Sequence, residues 1–229
     1  MEEFDDIYSE EMIREIRNNN IQAAIEDFAN RERYIMDKIE NIAQDIGSNP
    51  ENIYNLITNS QDEELKELFI AVRLAKDPIR QNIFETRFFN FMREHRIPNE
   101  FIRLPNGGPN SIYLTDQGIM TKDELQPGMN KTKSLDFYEE IGEIIYYYYH
   151  KYTKHGGGSQ ANQHNDMVHF IQLANDYCQS HNDNARFVGV IDGEYYTNNI
   201  RNEIESFAVN FLNSRIYILT WREILQAIN

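Results

Sequence analysis

The run Ile144–Thr153, IIYYYYHKYT, constrains the fold more than any other stretch of the 229-residue chain. Almost every residue in it is β-branched or aromatic, as in a strand packed on both faces. Such a strand needs partners on its edges and covering layers above and below. Upstream, Ser134 to Ile141 reads as a first strand and Gly142 as the turn, so the two runs form a hairpin.

Residues two apart in a strand share a face. Tyr149 and Lys151 therefore point one way, and His150 and Tyr152 the other. The hairpin pairs the end of the second strand near the start of the first. That brings Lys151, Tyr149 or His150 close to Asp136, which sits between Leu135 and Phe137. An aspartate beside a lysine at the end of a buried sheet suits a divalent metal and a water. Mg²⁺ takes one or two carboxylates and completes its shell with phosphate oxygens. A cation held in that way activates water and offsets charge on a phosphodiester being cut.

The second strand runs into Lys154, His155, three glycines and Ser159, then a polar run of Gln160, Asn162, Gln163, Asn165 and Asp166. The glycines lack the spacing of a P-loop. The polar run opens a helix that continues from Met167 to His181. Arg186 to Asp192 follows as a central strand, and Asp192-Gly193 as a turn. Asp192 is read as serving that turn, with a catalytic role as the alternative. Asn199 to Leu212 is an amphipathic helix, Arg215 to Thr220 a strand, and Trp221 to Ile228 a closing helix. Strands interleaved with helices in this order give an α/β fold: a mixed β-sheet flanked by helices.

The stretch Lys133–Asp166 resembles the core of type II restriction endonucleases of the PD-(D/E)xK superfamily. There an acid on one strand is followed by D/E-x-K on the next. Asp136 matches the first acid and Lys151 the lysine. The segment GGGSQANQHND, Gly156 to Asp166, and the later strand FVGVIDGEYY, Phe187 to Tyr196, carry the likeness further, over roughly Gln81 to Trp221. The resemblance implies an Mg²⁺-dependent endonuclease that cuts both strands of a palindromic duplex DNA site as a homodimer. In that reading Asp136 ligates the metal and Lys151 orients or activates water. Lys154, Ser159, Gln160, Asn162 and Gln163 contact DNA, and the target is an A·T-rich palindrome. Helices before the first catalytic strand in this superfamily often add an acid, which makes Glu85 a supporting residue or else a surface glutamate. Tyr149 departs from the pattern, standing where the family has Asp or Glu. Either the second ligand comes from elsewhere, with His150 or Tyr149 nearby, or the site is altered or dead. His150 is the added candidate for metal ligation and for general base.

The N-terminal section reads differently. Residues 8–75 show apolar positions at three- and four-residue spacing, among them Met12, Ile16, Ala24, Phe28, Ile35 and Ile39. Ser48-Asn49-Pro50 breaks the pattern and starts a new helix. Asp77-Pro78 then separates an acidic helical section, 1–76, from the endonuclease-like part, 77–229. Pro78 to His95 forms the helix that leads into that part, and Ser111 to Leu114 a short strand. The net charge of −15 weighs against DNA binding, because phosphate contacts need cations. The charge is uneven, however. Residues 1–70 hold 18 acids against 6 bases, and residues 71–229 hold 19 against 16. No apolar run reaches membrane-spanning length, and the acidic start MEEFDDIYSEE speaks against a signal peptide. The single cysteine, Cys178, excludes an internal disulfide and fits a reducing cytoplasm. Two other classes stay open: a DNA-binding protein with a dead site on the same fold, and an interaction protein whose acidic helices dock a basic partner.

Overall fold

The computed structural model describes residues 7–78, 82–96, 99–153, 158–196, 198–209 and 215–228, with backbone alone at 158–160, 198, 208 and 209. The chain divides into two compact units, Asp6–Phe84 and a second running from Glu85 to Asn229. The division falls after Phe84, where composition and punctuation had placed it at 76/77.

The first unit is helical. It holds α1 (Glu10–Ala29), α2 (Arg33–Ile46), α3 (Pro50–Thr58) and α4 (Glu63–Phe69), which runs on into a π-helical turn, Ile70–Leu74. Polar side chains start the helices. Ser9 accepts from the Met12 N–H, Asn49 from Glu51 ahead of a Pro50 at the first turn, and Asp62 from Leu65. The apolar faces converge on Ala24, Phe28, Ile35, Ile39, Ala43, Ile53, Ile57, Ile70 and Leu74. Phe28 stacks on Tyr54 with ring centroids 4.7 Å apart.

The second unit is mixed α/β. Helix α5 (Ile83–His95) leads to β1 (Phe101–Arg103), then to a small hairpin of β2 (Ile112–Thr115) and β3 (Gly118–Thr121). The central hairpin is β4 (Phe137–Ile141) and β5 (Ile144–Tyr152), turning at Gly142, whose φ is 62°. Then come α6 (Gly158–Ser180), β6 (Ala185–Asp192), α7 (Asn198–Val209), β7 (Ile216–Leu219) and α8 (Trp221–Ala227). The main sheet has the order β1-β4-β5-β6-β7. The β1–β4 and β4–β5 pairs are antiparallel, and the β5–β6 and β6–β7 pairs are parallel. Helices return the chain between the parallel strands, as parallel pairing requires. The sheet is therefore mixed and flanked by helices, as expected from the sequence.

Strand β5 lies at the centre, and its alternation sorts the two layers. Tyr149 stacks on Phe170 of α6 at 5.0 Å, and His150 stacks on Phe88 of α5 at 5.0 Å. Phe88 also meets Phe101 and Phe137, while Phe91 meets Trp221 of α8 edge-on at 4.9 Å. So α5 and α8 cover one face. Met167, Phe170, Ile171 and Ala174 of α6, with Ile204 of α7, cover the other together with Tyr149 and Phe187. On the α5 side a buried ion pair crosses the layers. Arg96 Nε donates to Glu139 Oε1 at 2.8 Å and its second nitrogen to Oε2 at 3.1 Å. The Tyr148 hydroxyl donates to the same carboxylate at 2.8 Å, and a third arm of Arg96 reaches the Ile228 carbonyl.

The expected strand over 134–141 starts only at Phe137. The helical pattern expected over residues 8–75 changes to π geometry at Ile70. Strands β1 and β3 were not among the strands expected from the sequence.

Candidate functional site

The hairpin delivers the juxtaposition its sequence implied. The Asp136 N–H donates to the Tyr148 carbonyl at 2.9 Å, and Phe137 faces the same Tyr148 in register. Two residues thus oppose one, which is the count of a β-bulge. A bulge re-aims the side chain at the end of the strand. Here the Asp136 carboxylate turns along the strand end, and its Oδ2 accepts the backbone N–H of His150 at 2.7 Å.

Asp136 is buried. Loss of water raises its pKa, the Lys151 ammonium lowers it, the Glu85 carboxylate raises it and His150 lowers it, and the net result is a carboxyl pushed up to about 6. Asp136 therefore lies within electrostatic reach of Lys151, Glu85 and His150. Glu85, from the first turns of α5, is held by Arg103 of β1 at 3.1 Å and by Asn106 at 3.4 Å. Lys151 is half-buried with its ammonium 3.9 Å from the centre of the Tyr149 ring, a cation–π contact that leaves it less hydrated than a surface lysine.

Tyr149 itself is almost wholly buried. Burial pushes its phenol far up, and the carboxylates of Asp166 and Asp136 add to the effect. The side chain where the resemblance called for an acid is thus a neutral phenol at ordinary pH and brings no negative charge.

His150 divides its two ends between two carboxylates. Its backbone serves Asp136, and its ring Nε2 lies 3.4 Å from Asp192 Oδ2. Asp192 is buried, and its Oδ1 accepts the Trp221 N–H at 3.0 Å. The Asp192 side chain thus meets both His150 and the start of α8. That role was legible only as an acid ending a buried strand; its partner 29 positions on was not.

Downstream, Gln163 accepts from the Thr153 hydroxyl at the end of β5, and Asn162 is exposed on α6. Asp166 on the same helix pairs with Lys133 at 2.6 Å. Lys154 lies outside the described residues, and Ser159 and Gln160 are described in backbone only.

The donor set near Asp136 suits a hard cation. Among the described residues no three His, Cys, Asp or Glu side chains gather round one point. Asp136 and Glu85 offer the one or two carboxylates with which Mg²⁺ is content when phosphate and water supply the rest. The His150 ring is engaged with Asp192, so the oxygen donors of Asp136 and Glu85 fit the group better than a nitrogen donor. The chain matches no protein-family model and no curated protein.

Proposed function

We propose that this protein is a site-specific endonuclease that hydrolyses both strands of duplex DNA, in the manner of the type II restriction enzymes whose core it resembles. The reading is supported by the buried Asp136 carboxylate, held by the His150 N–H at the end of the central hairpin, with Lys151 and Glu85 near enough to act on its charge. In this reading Asp136 and Glu85 hold Mg²⁺, which supplies Lewis acidity for the scissile phosphate and a more acidic bound water. Lys151 orients the attacking water and offsets negative charge that develops on the phosphorane oxygens. The His150 N–H fixes the direction of the Asp136 carboxylate. Arg103 and Asn106 hold Glu85 in place. Gln163 and Asn162, with Lys154, Ser159 and Gln160, contact the DNA, whose target is an A·T-rich palindrome read partly through its deformability. A twofold target implies a homodimer, and a restriction enzyme works in the cytoplasm.

The test is digestion of a long A·T-rich duplex with Mg²⁺ and with EDTA, using wild type, Asp136→Ala and Lys151→Ala. Discrete fragments that need metal and vanish in both variants support the reading. No cleavage in Mg²⁺ or Mn²⁺ overturns it. A second reading, a DNA-binding protein with a dead site, is favoured by the buried neutral Tyr149. It predicts retained binding to duplex DNA with no cleavage in either metal.

A further inference from the structure

The large apolar side chains left exposed among the described residues are Ile46, Leu56, Leu65, Leu68 and Val72, at 58% to 71%. All five belong to the helical unit. Ile46, Leu56 and Leu65 line a groove of about 730 Å³ between α2, α3 and α4, together with Ile42, Ile57 and Phe69. Leu68 and Val72 follow Leu65 at three- and four-residue spacing, so they form a ridge along the same helical stretch, beside the groove. An isolated exposed leucine needs no explanation, but a groove with an adjoining ridge marks a contact surface.

Three features point to a second copy of this chain as the occupant. The first is composition. The groove's polar lining is neutral apart from Lys66, and Lys66 already pairs with Glu63 at 3.3 Å. Depletion of charge with an apolar centre is the mark of a homodimer interface. The second is shape. A twofold interface uses the same patch on both copies, so the patch must fit itself. This face holds a groove and a ridge side by side, and each copy can seat its ridge in the groove of the other. The third is area. Burying a Leu, Ile or Val side chain removes roughly 100 Å² from water, so at their exposures the five present on the order of 300 Å². One side of a standard homodimer interface buries roughly 500 Å² of apolar area. The five side chains supply more than half of it, and the groove walls add to them.

We propose that the α2–α4 face of the helical unit is the surface through which two copies of this chain form a twofold dimer. Leu68 and Val72 of one copy enter the groove of the other, and the reverse contact completes the pair. The proposal names an interface for the homodimer of the nuclease reading, but it does not depend on DNA cleavage.

The experiment is sedimentation equilibrium of the full chain, without DNA or Mg²⁺, so that it stands apart from any cleavage assay. Wild type is compared with Leu56→Ser/Leu65→Ser in the groove and with Leu68→Ser/Val72→Ser on the ridge. The substituted side chains are exposed, and circular dichroism reports whether each variant is folded. The proposal expects a wild-type dimer at about 50 µM and a dissociation constant raised roughly tenfold or more in both double variants. A second arm keeps the test decisive if a serine variant fails to fold. Leu68→Cys and, as a distant control, Lys122→Cys are treated with a short bis-maleimide. The native Cys178 is buried, and wild type sets the background. Covalent dimer with Leu68→Cys and none above background with Lys122→Cys supports the proposal. A wild-type monomer at that concentration overturns it. So does a dimer that both folded serine variants retain, or equal cross-linking of the two cysteine variants, because the contact then lies on another face.

Discussion

The backbone N–H of His150 donates to the Asp136 carboxylate at 2.7 Å, while the His150 ring lies 3.4 Å from Asp192. One residue of the central strand thus joins the candidate site to a second buried carboxylate, Asp192. The Asp136 contact is a backbone one, so it survives any change of the His150 side chain. The Asp192 contact does not. The site and its support can therefore be perturbed separately.

Asp136 should make the cation-free fold pH-dependent. Its pKa is pushed up to about 6 in the folded chain, above the ordinary aspartate value. A raised folded value means the native state holds the proton more tightly than the unfolded chain. The stabilisation is full below the unfolded aspartate range and is lost as pH rises through about 6. The difference amounts to about 3 kcal/mol. Asp136→Asn should then be more stable than wild type near neutral pH and close to it below about pH 4. Urea midpoints in EDTA across that range read this out, and a difference that stays flat with pH refutes it. Added Mg²⁺ should raise the wild-type midpoint and leave that of Asp136→Asn unmoved.

Asp192→Ala removes the acceptor of the Trp221 N–H and the carboxylate beside His150 in a buried setting. The expected loss is about 3 kcal/mol, the scale for breaking a buried charged contact. Thermal unfolding measures it. A loss under about 0.5 kcal/mol, typical of surface substitutions, would show that water replaces the carboxylate there.

Gly193 and Gly142 offer a matched pair. Both have positive φ, 101° and 62°. A Cβ on Gly142 meets nothing within 4 Å, whereas one on Gly193 falls 2.3 Å from the Thr153 carbonyl oxygen. Gly142→Ala should cost about 1 kcal/mol from the left-handed backbone alone. Gly193→Ala should cost clearly more, about 3 kcal/mol, because backbone must move as well. Denaturant midpoints of the two variants separate strain from clash, and equal costs would mean that the 193 turn yields freely.

Arg96→Leu leaves Glu139 buried, with the Tyr148 hydroxyl still donating to it. The expected cost is about 3–5 kcal/mol, because an uncompensated charge then sits in the core. Arg96→Leu/Glu139→Leu should recover a good part of it. A double variant no more stable than the single one would show that the pair is needed for its geometry as well as its charge balance.

The sequence by itself carried the α/β class, the helical N-terminal section and the central hairpin. Burial on both faces is written locally, as the unbroken β-branched and aromatic run at Ile144–Thr153, and Gly142 marks the turn. From those two signals the approach of Asp136 to residues 149–151 follows by strand geometry alone. The tertiary structure decided the rest. Strand β1 is three residues long and exists because β4 offers an edge for it. The bulge that aims Asp136 depends on which carbonyl its N–H finds, and no local residue preference records that. Asp192 was legible as an acid beside a glycine, which suggests a turn. Its engagement with His150 and Trp221 arises because β5, β6 and the start of α8 converge, and contacts between distant positions leave no mark on the spacing of either.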